Sequence, residues 1–258
     1  MDLAIPPEAA PVVAAFRARL PDLLGDRLLG LCLAGSAVAG DFDPGVSDVD
    51  LLAATHGLVS DRFQDLEALH EQIAMTNPAW RGRIEIAYVP VETLRNHRNE
   101  RSTILVTSPG EPFHEREAGP EWTIGWSVVR DSGIALLGSP PSDLIPPISP
   151  GDYRRALRQQ AQDWRAWVRE AETPGDASYA VLTGCRALHA YLRGEQASKR
   201  AAAEWAGAEM PEWSDLIARA MLARTGVARN LPGVSFDISA AVAFVDAVAR
   251  RIGPDEDR

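Results

Sequence analysis

Leu31–Leu52, LCLAGSAVAGDFDPGVSDVDLL, decides how this chain folds. An apolar run over Leu28–Leu33 ends in Gly35-Ser36, and eleven residues after Ser36 comes Ser47, followed by Asp48-Val49-Asp50-Leu51-Leu52. The pattern reads as a strand, a small-residue turn, a loop and a second strand carrying two carboxylates. Strand side chains alternate between faces, so Asp48 and Asp50 share one face while Val49 and Leu51 turn to the core. Two carboxylates side by side on an apolar strand repel each other and resist desolvation. A hard divalent cation between them removes both penalties. Gly35 and Ser36 supply what a phosphate needs: close backbone approach, N–H groups at a helix start and a hydroxyl. The stretch reads as a metal–nucleotide site.

Downstream, Arg81–Pro90 (RGRIEIAYVP) reads as a third strand whose Ile84, Ile86 and Tyr88 oppose Glu85, Ala87 and Val89. Glutamate is out of place in such a core strand. If the strand pairs beside the second, Glu85 lands next to Asp48 and Asp50, where it completes a metal site or accepts a proton from an attacking hydroxyl. The competing reading is an edge-strand glutamate facing water.

The spacing Gly-Ser-x(10)-Ser-Asp-Val-Asp resembles that of the polymerase-beta-type nucleotidyltransferases. With the stretch VLTGCRALHAYLRGEQASKRAAAEWA (Val181–Ala206), in which a Ser-Lys precedes a small-residue helix bearing a tryptophan, the chain resembles their aminoglycoside (streptomycin/spectinomycin) O-adenylyltransferase branch. The resemblance implies that Asp48 and Asp50 ligate metal and Glu85 is the catalytic base, the three together forming the catalytic and metal-binding set, and that Lys199 contacts ATP. Gly35 and Ser36 would hold the β- and γ-phosphates, with Ser47 adding a hydroxyl and Arg186 a second cation. Asp176 matches an acid directed at substrate amines or guanidines, and capping of the following helix explains it equally well. Tyr179 stands where streptomycin-modifying members carry a polar side chain. Trp122 and Trp126 both qualify as the aromatic contact before the domain boundary. The family places nucleotide and drug in a cleft between two domains.

The chemistry asks for the same set: two Mg2+ and ATP as co-substrate, with bridging carboxylates and a base for the acceptor hydroxyl. The expected partners are therefore ATP and a cationic, aminoglycoside-like small molecule. Two other readings compete: the same transfer to a protein, a tRNA or another metabolite, and a nucleotide-binding module without catalysis.

At 258 residues, 46% of them apolar, two domains are the better prior. A net charge of −10, from 26 basic and 36 acidic residues, disfavours a nucleic-acid partner. Cys32 and Cys185 lie far apart in apolar settings, so the expected location is the reducing cytoplasm. The start, MDLAIPPEAA, lacks the basic region of a signal peptide, and Leu28–Gly40 is too short and glycine-rich to span a bilayer. A soluble monomer without membrane contact is expected.

The expected architecture is an α/β (α+β) mixed sheet with flanking helices over 1–148, then an all-α bundle over 149–258 that closes the substrate cleft. The boundary is SPPSDLIPPISP (Ser139–Pro150), whose five prolines predict a stiff, extended link. Residues 95–121 read as polar and irregular, and neither His97 nor His114 receives a role. Helices are expected over Glu8–Leu24, from a cap at Ser60 to Asn77, and over 150–168, 177–192, 199–206, 212–224 and 236–252. In the first bundle helix, Trp164 and Trp167 are expected in the core.

Overall fold

The computed structural model describes residues 5–96, 101–224 and 236–253; His97 lies outside them. The chain divides into two compact units, Met1–Ile148 and Ser149–Arg258. The first unit runs α1 (Ala10–Leu24), β1 (Leu28–Ala34), α2 (Ser36–Ala39), β2 (Val49–Thr55), α3 (Phe63–Thr76) and β3 (Ile84–Pro90). It continues with α4 (Val91–Asn96), β4 (Ser102–Thr107), β5 (His114–Ala118), α5 (Thr123–Ser132), β6 (Ile134–Gly138) and α6 (Pro141–Leu144).

The six strands form one mixed sheet in the order β5-β4-β3-β2-β1-β6. β2 and β3 are parallel, and every other neighbouring pair is antiparallel. The parallel pair requires a crossover, which α3 provides. On one face Leu31, Leu33, Val49, Leu51, Ile86 and Tyr88 pack against Phe16 and Leu20 of α1 and Leu66, Leu69 and Ile73 of α3. On the other, Cys32, Leu52, Ala54, Ala87 and Val89 pack against Leu94, Trp126, Val129, Leu144 and Ile145.

Three expectations change here. The irregular stretch 95–121 contains the β4–β5 hairpin: β4 buries Ile104, Leu105 and Val106, whereas β5 (HEREA) is a charged edge strand with no apolar alternation to announce it. The proline-rich link is not extended throughout, because Leu144 and Ile145 are buried in the second core and draw α6 onto the sheet. Ser60 does not cap α3; its hydroxyl donates to Glu115 Oε1, and residues 60–62 form a 3-10 turn ahead of the helix.

The second unit is helical: α7 (Pro150–Trp167), α8 (Pro174–Arg193), α9 (Lys199–Glu209), α10 (Ser214–Arg224) and α11 (Ile238–Ile252). Each of the first three starts at a side-chain cap, where Ser149, Thr173 and Ser198 accept from the backbone N–H three residues on. α8 is the central helix: Ala180, Val181, Gly184, Cys185, Leu188 and neighbours are buried, and Gly184 lets Phe244 of α11 approach. An Asp246 bridge to Arg165 and Arg169 ties α11 to the end of α7. None of the described helices is long and apolar enough to cross a membrane.

Candidate active site

The sheet brings together the residues around which the sequence is organised. Asp50 faces Glu85 in the β2–β3 register and Ala34 in the β1–β2 register, giving a row Ala34–Asp50–Glu85 across three strands. Partners opposite each other in a sheet share a face, so Glu85 points the same way as Asp50. Both are half-buried between fully buried neighbours. Asp48 is half-buried in the segment immediately before β2 rather than within the strand.

The Gly-Ser turn closes on this row. Gly35 has φ +67°, and a Cβ built on it would lie 1.9 Å from Asp50 Oδ2 and 2.6 Å from its Cγ. The Asp50 carboxylate therefore occupies the space that any other residue at position 35 would fill, and only glycine meets both demands. The Gly35 carbonyl accepts from Val38 and Ala39, starting α2 at Ser36. Ser47 is 3% exposed, and its hydroxyl accepts from Asp43 N–H at 2.9 Å, so it closes the loop ahead of Asp48.

These oxygens are hard donors of the kind Mg2+ prefers. Among the described residues no group of three His, Cys, Asp or Glu side chains could hold a metal ion by itself. The donor set fits Mg2+ delivered with a triphosphate, since that ion takes one or two carboxylates and completes its shell with phosphate and water.

In the helical unit, Lys199 opens α9, and its Nζ lies 5.0 Å from the centre of the Tyr179 ring. Arg186, on α8, carries a buried Nε with no hydrogen-bond acceptor among the described residues. A buried cationic donor without an acceptor is costly, and a phosphate oxygen would satisfy it. Asp176 is the third residue of α8 and half of a capping box: its Oδ2 accepts from Thr173 N–H at 3.0 Å while Thr173 Oγ1 accepts from Asp176 N–H at 3.1 Å.

Tyr179, 48% exposed, joins an aromatic group with Trp164 (5.5 Å) and Trp167 (6.5 Å). The two tryptophans are thus not core residues. α7 buries the stripe Tyr153, Ala156, Leu157 and Ala161, and Trp167, 40% exposed, ends the helix beyond it. In the first unit Trp126 is 2% exposed within the second core, and Trp122 packs half-buried on its edge. Of the two candidates, only Trp122 retains surface for a ligand. Cys32 and Cys185 are buried thiols pushed up to about 12 by desolvation, which suits neither nucleophile nor ligand.

Residues 143–251 match the family described as aminoglycoside adenylyltransferase, C-terminal domain. The fold resembles that of a spectinomycin adenyltransferase from Enterococcus faecialis, solved with ATP and spectinomycin. The TM-score is 0.76 at 17% sequence identity, and the alignment covers 93% of this chain and 99% of that one.

Proposed function

We propose that the chain is a nucleotidyltransferase of the aminoglycoside adenylyltransferase branch, a reading supported by the family match over residues 143–251 and by the shared fold, and that it transfers AMP from ATP to a hydroxyl of a streptomycin- or spectinomycin-type antibiotic. The observation that carries the reading is the Asp50–Glu85 pairing, with the Asp50 carboxylate seated over Gly35. Two acids on one face, beside a turn whose backbone is bare of side chain, suit a nucleotide's phosphates and a proton acceptor together.

In this reading Glu85 takes the proton from the acceptor hydroxyl, whose oxygen forms a bond to the α-phosphorus of ATP. The bond from that phosphorus to the bridging oxygen breaks, and pyrophosphate leaves. Asp48 and Asp50 are the carboxylates that would hold two Mg2+ ions, whose contribution is to neutralise charge on the triphosphate. Gly35 and Ser36 offer backbone N–H groups and a hydroxyl to the β- and γ-phosphates. Ser47 acts on the site by holding the loop as well as through its hydroxyl. Lys199 and Arg186 are read as phosphate cations, and the buried Arg186 Nε supports that assignment. Asp176 and Tyr179 are read as facing the cationic acceptor, the carboxylate through its charge and the ring as a surface for a guanidinium or ammonium group.

The test is incubation with ATP, Mg2+ and a panel of aminoglycosides while pyrophosphate is measured. Release that depends on streptomycin or spectinomycin is the expected result. Release only with a different acceptor reassigns the substrate, and ATP binding without release in any combination overturns the transferase reading.

A further inference from the structure

We propose that Arg83 is a positioning residue that fixes Asp48 relative to Asp50 and Glu85; the proposal rests on the carboxylate–nucleotide reading above. Arg83 precedes β3 and is largely buried, its side chain only 17% exposed. Its Nη2 and Nε both donate to the Ser47 carbonyl, at 2.6 and 3.2 Å. Nη1 donates to the Ala79 carbonyl at 3.2 Å and meets Glu8 Oε1 at 3.5 Å. The guanidinium lies 4.4 Å from the centre of the Trp80 ring. Glu8 Oε1 also accepts from Gly45 N–H at 3.2 Å, inside the loop that leads to Asp48.

The backbone closes the same grip from the other side, because the Arg83 carbonyl accepts from Val49 N–H at 3.0 Å. Asp48 is thus held between two anchored neighbours. The Ser47 carbonyl shares a rigid peptide plane with the nitrogen and Cα of Asp48, so fixing that oxygen fixes where the Asp48 side chain departs. Asp50 and Glu85 need no such help, since the sheet register locates both. Asp48 lies outside the strand, and Arg83 supplies from β3 the restraint that the ladder does not. A planar guanidinium that donates twice to one oxygen while stacking on an indole is a role that lysine cannot reproduce.

The test compares wild type with Arg83→Lys, Arg83→Gln and Arg27→Ala. The last removes a surface pair with Asp61 in the same unit, away from the loop. ATP binding is followed by calorimetry over a Mg2+ series, with thermal unfolding of each variant measured alongside. The expected result is a rise of about ten-fold or more in half-saturating Mg2+ for Arg83→Gln and a smaller rise for Arg83→Lys, in line with the loss of a residue that orients a metal ligand. Arg27→Ala should keep the wild-type value. Folded Arg83 variants with wild-type Mg2+ dependence overturn the positioning role and leave the carboxylate site standing. Should Arg83→Gln fail to fold, the same result in Arg83→Lys alone overturns it. ATP binding by wild type that is indifferent to Mg2+ overturns the metal–nucleotide reading and this inference with it.

Discussion

The two faces of the sheet are made by the same three strands and serve opposite ends. Toward α1 and α3, β1–β3 present Leu31, Leu33, Val49, Leu51, Ile86 and Tyr88, large side chains that seal against Phe16 and Leu66. Toward α4–α6 they present Cys32, Ala34, Leu52, Ala54 and Ala87, mostly small, with Asp50 and Glu85 in line among them. Bulk on one side holds the strands rigid. Small residues on the other leave room beside two acids that apolar packing would otherwise have to desolvate. A sheet with a packed core on each face can thus hold two carboxylates to a fixed spacing while they stay half-buried among mostly small neighbours.

If the division holds, a change at the carboxylates of the second face alters chemistry and leaves the fold intact. Glu85→Gln keeps the shape and removes the proton acceptor, so turnover should fall about 10²–10⁴-fold. ATP affinity and the unfolding midpoint should stay near wild type. Pyrophosphate release checks the first and calorimetry the second; near-normal turnover would remove Glu85 from the role of base.

Gly35→Ala should be the next largest effect. The new methyl needs the space of Asp50 Oδ2, so the carboxylate must swing away, and ATP binding should weaken about ten-fold. Gly57→Ala sharpens the point, because Gly57 has a similar φ of +64° with nothing within 4 Å of a built Cβ. It should cost only the backbone strain, about 1 kcal/mol, and leave ATP binding unchanged.

The face toward α1 and α3 is tested through a titratable contact. His70 of α3 hydrogen-bonds the Tyr88 hydroxyl through Nε2 at 2.8 Å and lies edge-on to Phe16 and Phe113. Desolvation lowers its pKa to about 4 from an ordinary 6.5. Below pH 6.5 the unfolded chain takes up the proton and the folded one resists it. Stability should therefore fall as pH drops from 6.5 toward 4. Unfolding midpoints of His70→Gln across that window should decline less steeply than those of wild type, and parallel curves would show that His70 does not set the acid limit.

How far the sequence could be read follows from the same contrast. Alternation over Val49–Leu52 and Ile84–Val89 says which residues share a face within each strand, but Glu85 joins Asp50 only if the two strands pair, a condition that the β2–β3 register meets. The β4–β5 hairpin escaped because a charged edge strand such as HEREA buries little and so carries no periodic signal. Trp164 and Trp167 were misread since helical spacing names a stripe without saying where the packing partner ends. The grip of Arg83 on the Ser47 carbonyl joins residues 36 apart through a backbone oxygen, which no side-chain pattern records.

The smallest effect separates two roles that the sequence left equally open for Asp176. The capping box accounts for the residue as a helix start, and removing it with Asp176→Ala should cost about 1 kcal/mol of stability. Asp176→Asn keeps an oxygen for the Thr173 N–H while deleting the charge. If the carboxylate also faces a cationic acceptor, Asn at this position should raise the KM for the antibiotic about five-fold. That is the scale of one partly exposed ion pair near 1 kcal/mol, with kcat, the KM for ATP and the unfolding midpoint unmoved. A change in midpoint without a change in KM would leave the residue only its place at the start of α8.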